Sequence, residues 1–123
     1  AGRPVERPGP ADRVLVAAAR EAIVEGAPES ASLSALAGLL GASPYRLSRA
    51  FSRLTGVSVT RYRNRVRVGL LMHRLSQGET GLAGLAADLG FADQAHLTRT
   101  VREHVGHTPT ALRRLLAVEE RVG

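Results

Sequence analysis

Arg49 and Arg99 stand fifty positions apart in the same local sequence, and each carries a planar guanidinium able to fork two N–H donors onto O6 and N7 of a guanine. The side chains around them suit the same task. Gln94 can pair with adenine N6 and N7, and Thr98 or Tyr45 can touch a thymine methyl. Arg46, Ser52, Arg53 and Arg102 fall further round and suit phosphate oxygens, which position a protein without specifying sequence. The chemistry is recognition of a polyanion rather than catalysis. Asp88 reads as an exposed helix position and Asp93 as a helix cap. His96, His104 and His107 lack ligand spacing on one helical face, His73 is alone, and nothing pairs a nucleophile with a base. No metal or cofactor is expected.

These side chains need helices to hold them. In S-P-Y-R-L-S-R-A-F-S-R-L-T-G, Leu47, Ala50, Phe51 and Leu54 recur at i, i+3, i+4 and i+7, the apolar stripe of a helix packed on a core. Tyr45, Arg46, Ser48, Arg49, Ser52 and Arg53 then point away from it. Ser43 suits the N-cap, Pro44 the first helical position, and Gly56 the left-handed residue after the helix.

The chain writes this helix twice. Leu47-Ser48-Arg49-x-Phe51 with Gly56 returns as Leu97-Thr98-Arg99-x-Val101 with Gly106. Leu33-x-x-Leu36-Ala37-x-x-Leu40-Gly41 precedes the first copy, and Leu82-x-x-Leu85-Ala86-x-x-Leu89-Gly90 the second. Ser58 and Arg63 match Thr108 and Arg113. The repeated unit is a short helix, a turn at glycine and a helix with an arginine-bearing outer face, which is a helix-turn-helix pattern. A helix pair repeated only for packing would not require the outward arginines.

The charge balance agrees. The 123 residues hold 17 Lys+Arg, all arginine, against 11 Asp+Glu, for a net charge of +6. No acidic residue lies between Glu29 and Glu79, whereas eight arginines do. A polyanionic partner is implied, nucleic acid before membrane surface. The absence of cysteine excludes a disulfide scaffold and fits a cytoplasmic protein, and no apolar run reaches a membrane span.

In order, residues 1–11 read as a flexible linker, with Pro10 and Asp12 opening a first helix whose stripe is Val14, Leu15, Ala18, Ala22 and Ile23. Ser32 caps the scaffold helix of the first unit. A long helix runs from Ser58 to about Gln77, with Tyr62, Val66, Leu70, Leu71 and Leu75 as candidate core residues. At about 1.5 Å per residue it spans roughly 30 Å, near the roughly 34 Å between successive major-groove faces of B-DNA. Its arginines divide: Arg63, Arg67 and Arg74 project to one side, Arg61 and Arg65 to nearly the opposite side. Leu82 to Leu89 forms the second scaffold helix, Asp93 caps the second reading helix, and Thr108-Pro109 begins a last helix bearing Leu112, Leu115 and Leu116. The expectation is an all-α fold of about seven helices, two helix-turn-helix units joined by a long helix, over residues 12–118, with a fraying tail at 119–123.

Those strings resemble the DNA-binding domain of the AraC/XylS family of bacterial transcription regulators. The resemblance runs from about Asp12 to Leu116 and rests on G-A-S-P-Y-R-L-S-R-A-F-S-R-L-T-G-V-S with Tyr62 and Arg67, then on L-A-A-D-L-G-F-A-D-Q-A-H-L-T-R-T-V-R-E-H-V-G-H-T-P with Arg113. It implies that the second helix of each unit enters the major groove of double-stranded DNA, through Tyr45, Ser48 and Arg49 and through Gln94, Ala95, Thr98 and Arg99. It also implies an effector-sensing domain upstream, with RNA polymerase a candidate protein partner. Leu97 and Val101 stand where the family usually has phenylalanine, and Gly69, Leu71 and Arg74 are atypical, so the second unit is expected to be the softer. The alternative from another class is a helical protein-interaction module whose arginines meet an acidic partner such as a sigma-factor surface.

Overall fold

The computed structural model describes residues 9–122, with side chains described as far as Ala117. Its regular elements are helices: α1 (Pro10–Glu25), α2 (Leu33–Leu39), α3 (Pro44–Thr55), α4 (Val59–Ser76), α5 (Leu82–Asp88), α6 (Gln94–Val105) and α7 (Pro109–Val122), with a 3-10 turn at Pro28–Ala31. The chain divides into two compact units, Ala1–Arg63 and Asn64–Gly123, so α4 begins in one and ends in the other. The linker expected at residues 1–11 lies outside the described residues as far as residue 8, and Pro10 and Ala11 are helical. The backbone of α7 continues to Val122, past the expected boundary at Val118.

In the first unit, α1 buries Leu15, Val16, Ala19, Ala22 and Ile23. Val14, expected in that stripe, is 69% exposed, because Leu15, Ala19, Ala22 and Ile23 repeat at i, i+4, i+7 and i+8 and leave it one step off the edge. Leu36 and Ala37 of α2 and Leu47, Ala50 and Phe51 of α3 are buried as well. The Phe51 ring meets Tyr62 edge-on at 5.3 Å between centroids. Leu54 is 38% exposed, so the stripe of α3 ends one turn early.

The second unit packs Val68, Leu71 and Leu75 of α4 with Leu85, Ala86, Phe91, Leu97, Val101 and Leu112. Leu70 is 42% exposed and Val68 takes its expected place, since Val68, Leu71 and Leu75 form the i, i+3, i+7 stripe. Val101 stands where the first unit has Phe51, yet no part of it reaches solvent. The missing ring comes from the turn instead. Phe91, in the turn that is one residue longer than its counterpart, is buried in this core, and the Arg67 guanidinium lies 5.7 Å from its centroid.

Gly90 in that turn has φ +82, a backbone conformation that favours glycine, and a Cβ there would lie 3.1 Å from an Arg67 terminal nitrogen, which would have to give way slightly.

The joining-helix arginines that share a side are spent on their own units. Arg63 donates from NH1 to the carbonyls of Ser30 (2.9 Å) and Ala31 (3.0 Å). Arg113, its repeat mate, donates to the carbonyl of Thr80 at 3.1 Å. Each therefore secures the segment ahead of its scaffold helix, and burial pushes the Arg63 guanidinium below its ordinary pKa. Arg74 holds Glu79 through two donors and Asp88 at 3.0 Å. Arg61 and Arg65 are exposed.

Phe91→Ala removes the ring around which the second unit closes, and is expected to lower unfolding free energy by about 3–5 kcal/mol in urea titration, as for other buried aromatics. A loss under about 1 kcal/mol would mean that the ring does not organise this core.

Arg74 lowers the pKa of Glu79 by hydrogen bond and charge. A carboxylate lowered in the folded state adds stability that is present above its unfolded pKa, about 4.3, and is lost as pH falls through the lowered folded value. Arg74→Met should melt below wild type at pH 7, with the gap closing as pH drops through that acid window. A gap that persisted unchanged at the acid end would assign the effect to packing.

Candidate nucleic-acid interface

Short-range chemistry sets each reading helix. The Ser43 hydroxyl accepts from the N–H of Arg46 at 3.1 Å, Pro44 occupies the first position, and Gly56 ends α3 at φ 79. Asp93 does for α6 what Ser43 does for α3, its carboxylate accepting from the N–H of His96 at 2.7 Å. The His96 ring in turn accepts from the N–H of Ala92 at 3.1 Å and meets Phe91 edge-on at 5.4 Å. Between these ends, burial of Leu47, Ala50 and Phe51 in α3 and of Leu97, Thr100 and Val101 in α6 selects which residues face solvent.

In α3, Tyr45, Arg46, Arg49, Ser52 and Arg53 are exposed and Ser48 is half-buried. In α6, Gln94, Ala95, Arg99 and Arg102 are exposed and Thr98 is half-buried. All eleven residues expected at the interface thus lie on the outward or partly outward face of one of these two helices. Arg49 and Arg99 occupy equivalent places, two residues before Phe51 and Val101 respectively.

The two faces are not chemically alike. Arg49 donates from NH1 to the Tyr45 hydroxyl, and its guanidinium lies 5.3 Å from the centre of the Tyr45 ring. Arg46 is paired with Asp12 of α1 at 3.2 Å, with both side chains partly exposed. That pairing neutralises part of the charge expected at a phosphate while holding the guanidinium against α1. Local pattern marks Asp12 only as a residue that opens a helix, whereas its pairing with Arg46 spans 34 positions of sequence. The Tyr45–Arg49 pair is an i, i+4 contact, and its spacing is visible in the sequence.

Among the described residues, no group of three or more His, Cys, Asp or Glu is placed to hold a metal ion, and no helix is long and apolar enough to cross a membrane.

Comparison with known proteins bears on this geometry. A family model described as a helix-turn-helix domain matches residues 36–115. The bifunctional transcriptional activator/DNA repair enzyme AdaA of Bacillus subtilis is 27% identical over 92 residues, which are 75% of this chain and 44% of that protein. The HTH-type transcriptional regulator RipA of Corynebacterium glutamicum is 35% identical over 107 residues, 84% of this chain and 30% of that one. The chain therefore spans less than half the length of these relatives. A crystal structure of a transcriptional regulator from Chromobacterium violaceum, titled as of the AraC-type DNA-binding domain-containing proteins, superposes with a TM-score of 0.74 at 23% identity, over 85% of this chain and 94% of that one. With the model match covering most of its length and the repeat built from two such units, the chain belongs to the helix-turn-helix domain family, and it shares the fold of that AraC-type structure.

Proposed function

We propose that this domain binds double-stranded DNA sequence-specifically as the DNA-binding part of a bacterial transcription regulator. The observation that carries the reading is the repeated placement of an exposed arginine, Arg49 and Arg99, by the same buried stripe on two capped helices. An arginine held at a helix surface can fork onto guanine in the major groove, the groove wide enough to admit a helix. In this reading Ser48 and Arg49 face bases of one segment, with Tyr45 beside them, and Gln94, Ala95, Thr98 and Arg99 face those of another about one turn away. Arg46, Ser52, Arg53 and Arg102 meet phosphates. No catalytic role is assigned. The names of the relatives, all transcriptional activators or regulators, support this reading, and more than half of each lies outside the matched part. An upstream effector-sensing domain and contact with RNA polymerase complete the proposal, with the cytoplasm as the compartment it implies.

Arg49→Ala and Arg99→Ala test it against Arg53→Ala. Loss of a bidentate base contact should cost about 1–3 kcal/mol and relax preference at one base position, different for the two variants. Arg53→Ala should weaken all sequences alike and reduce the salt slope by about one unit. If both reading variants kept wild-type preference in selections from randomised duplexes, the assignment would fall.

Nuclease footprinting of a selected site should show two protected major-groove segments about 10 base pairs apart on one face of the duplex, and the site should be asymmetric because the two reading faces differ. Protection on opposite faces would be incompatible with the proposed spacing.

A further inference from the structure

Tyr45 is 67% exposed. What it touches is Arg49. The guanidinium lies 5.3 Å from the ring centre and NH1 donates to the phenolic oxygen, so one tyrosine holds the arginine by face and by hydroxyl. Both contacts fall within a single i, i+4 step of α3, which keeps them independent of the surrounding fold. A guanidinium bound at NH1 still offers the parallel N–H pair of Nε and NH2, the edge that forks onto guanine O6 and N7. The arrangement restrains the arginine without using up its reading edge.

The second unit lacks the device. Ala95 occupies the place of Tyr45, four residues before Arg99, and its methyl can neither stack on a guanidinium nor accept from one. Among the described residues no hydrogen bond, ion pair or ring contact engages the Arg99 side chain.

We infer that Tyr45 is a positioning residue, which sharpens base preference in the first half of the site by orienting Arg49 rather than by touching a base itself. The inference rests on the DNA-binding reading above. Its physical basis is that an unrestrained arginine must lose side-chain freedom on binding, whereas Arg49 is already confined. The two units therefore discriminate unequally, the first more strictly than the second.

Two measurements test this, one of them without DNA. In free protein, the N–H order parameter at Arg49 Nε should exceed that at Arg99 Nε and should fall to the Arg99 level in Tyr45→Ala. Equal mobility of the two arginines in wild type would overturn the inference whether or not the domain binds DNA.

The second measurement uses a library of randomised duplexes, with the position read by Arg49 defined as the one whose preference Arg49→Ala removes. Tyr45→Phe, which keeps the ring, should lower that preference about threefold and Tyr45→Ala about tenfold, as loss of one and then both modest contacts predicts. Preference in the half read by Arg99 should not move, which separates orientation from general damage to the fold. Tyr45→Ala should be silent when Arg49 is already alanine. Loss of preference at a separate base position, with the Arg49-dependent one intact, would make Tyr45 a direct reader and overturn the inference. A wild-type protein that selects no sequence would instead sink the DNA-binding reading, leaving the order parameters to judge the pair on its own. Ala95→Tyr should raise preference at the Arg99-dependent position severalfold, and no gain would overturn the claim that the tyrosine causes the asymmetry.

Discussion

Rotation of each reading helix about its own axis is the constraint on which everything else in this molecule depends. A residue turns about 100° from its neighbour along a helix, so a one-residue error in which side chains are buried would turn Arg49 or Arg99 a quarter-turn away. Leu47 and Phe51 in α3, and Leu97 and Val101 in α6, are fully buried and leave no freedom for such an error. The outward face has no comparable packing to fix it. Its geometry is inherited from the core, and long exposed arginines are placed at all only because their backbone is fixed.

The same economy explains the divided arginines of α4. A guanidinium on the packed side of a helix must find acceptors or an aromatic face, and each of the three does so within its own unit. Arg63 takes carbonyls ahead of α2, Arg67 lies over Phe91, and Arg74 gathers Glu79 and Asp88. The positive charge that dominates the middle of the sequence is thus only partly available to a partner. Net charge identifies the class of partner better than it identifies the residues that meet it.

Features that depend on residues within four positions of each other are legible in the sequence. Ser43, Pro44 and Gly56 define α3, Asp93 and Gly106 define α6, and the Thr108 hydroxyl accepts from Ala111 at the start of α7. The outward sets on α3 and α6 follow directly, because each helix has one clear apolar stripe. Val14 and Leu70 do not follow, since both sit in runs of consecutive apolar residues, Val14-Leu15-Val16 and Leu70-Leu71-Met72, where periodicity leaves the buried member open. Contacts closed over long sequence distances, such as Asp12 with Arg46 and Arg63 with Ser30, leave no local trace. The repeat still hints at one of these, because Arg63 and Arg113 are matched and turn out to serve the same kind of carbonyl.

The two copies keep one backbone plan while drawing their core ring from different places, Phe51 from within α3 and Phe91 from the turn ahead of α6. They have consequently ceased to be interchangeable parts. Exchanging the whole helices would bring the Phe51 ring into a unit that already buries Phe91, and would leave Tyr62 of the first unit without the ring it packs against. Only the outward side chains remain transferable, so altered recognition must be grafted onto the surface of each helix in place, and divergence of the interior has made the halves of an internally duplicated protein individually irreplaceable.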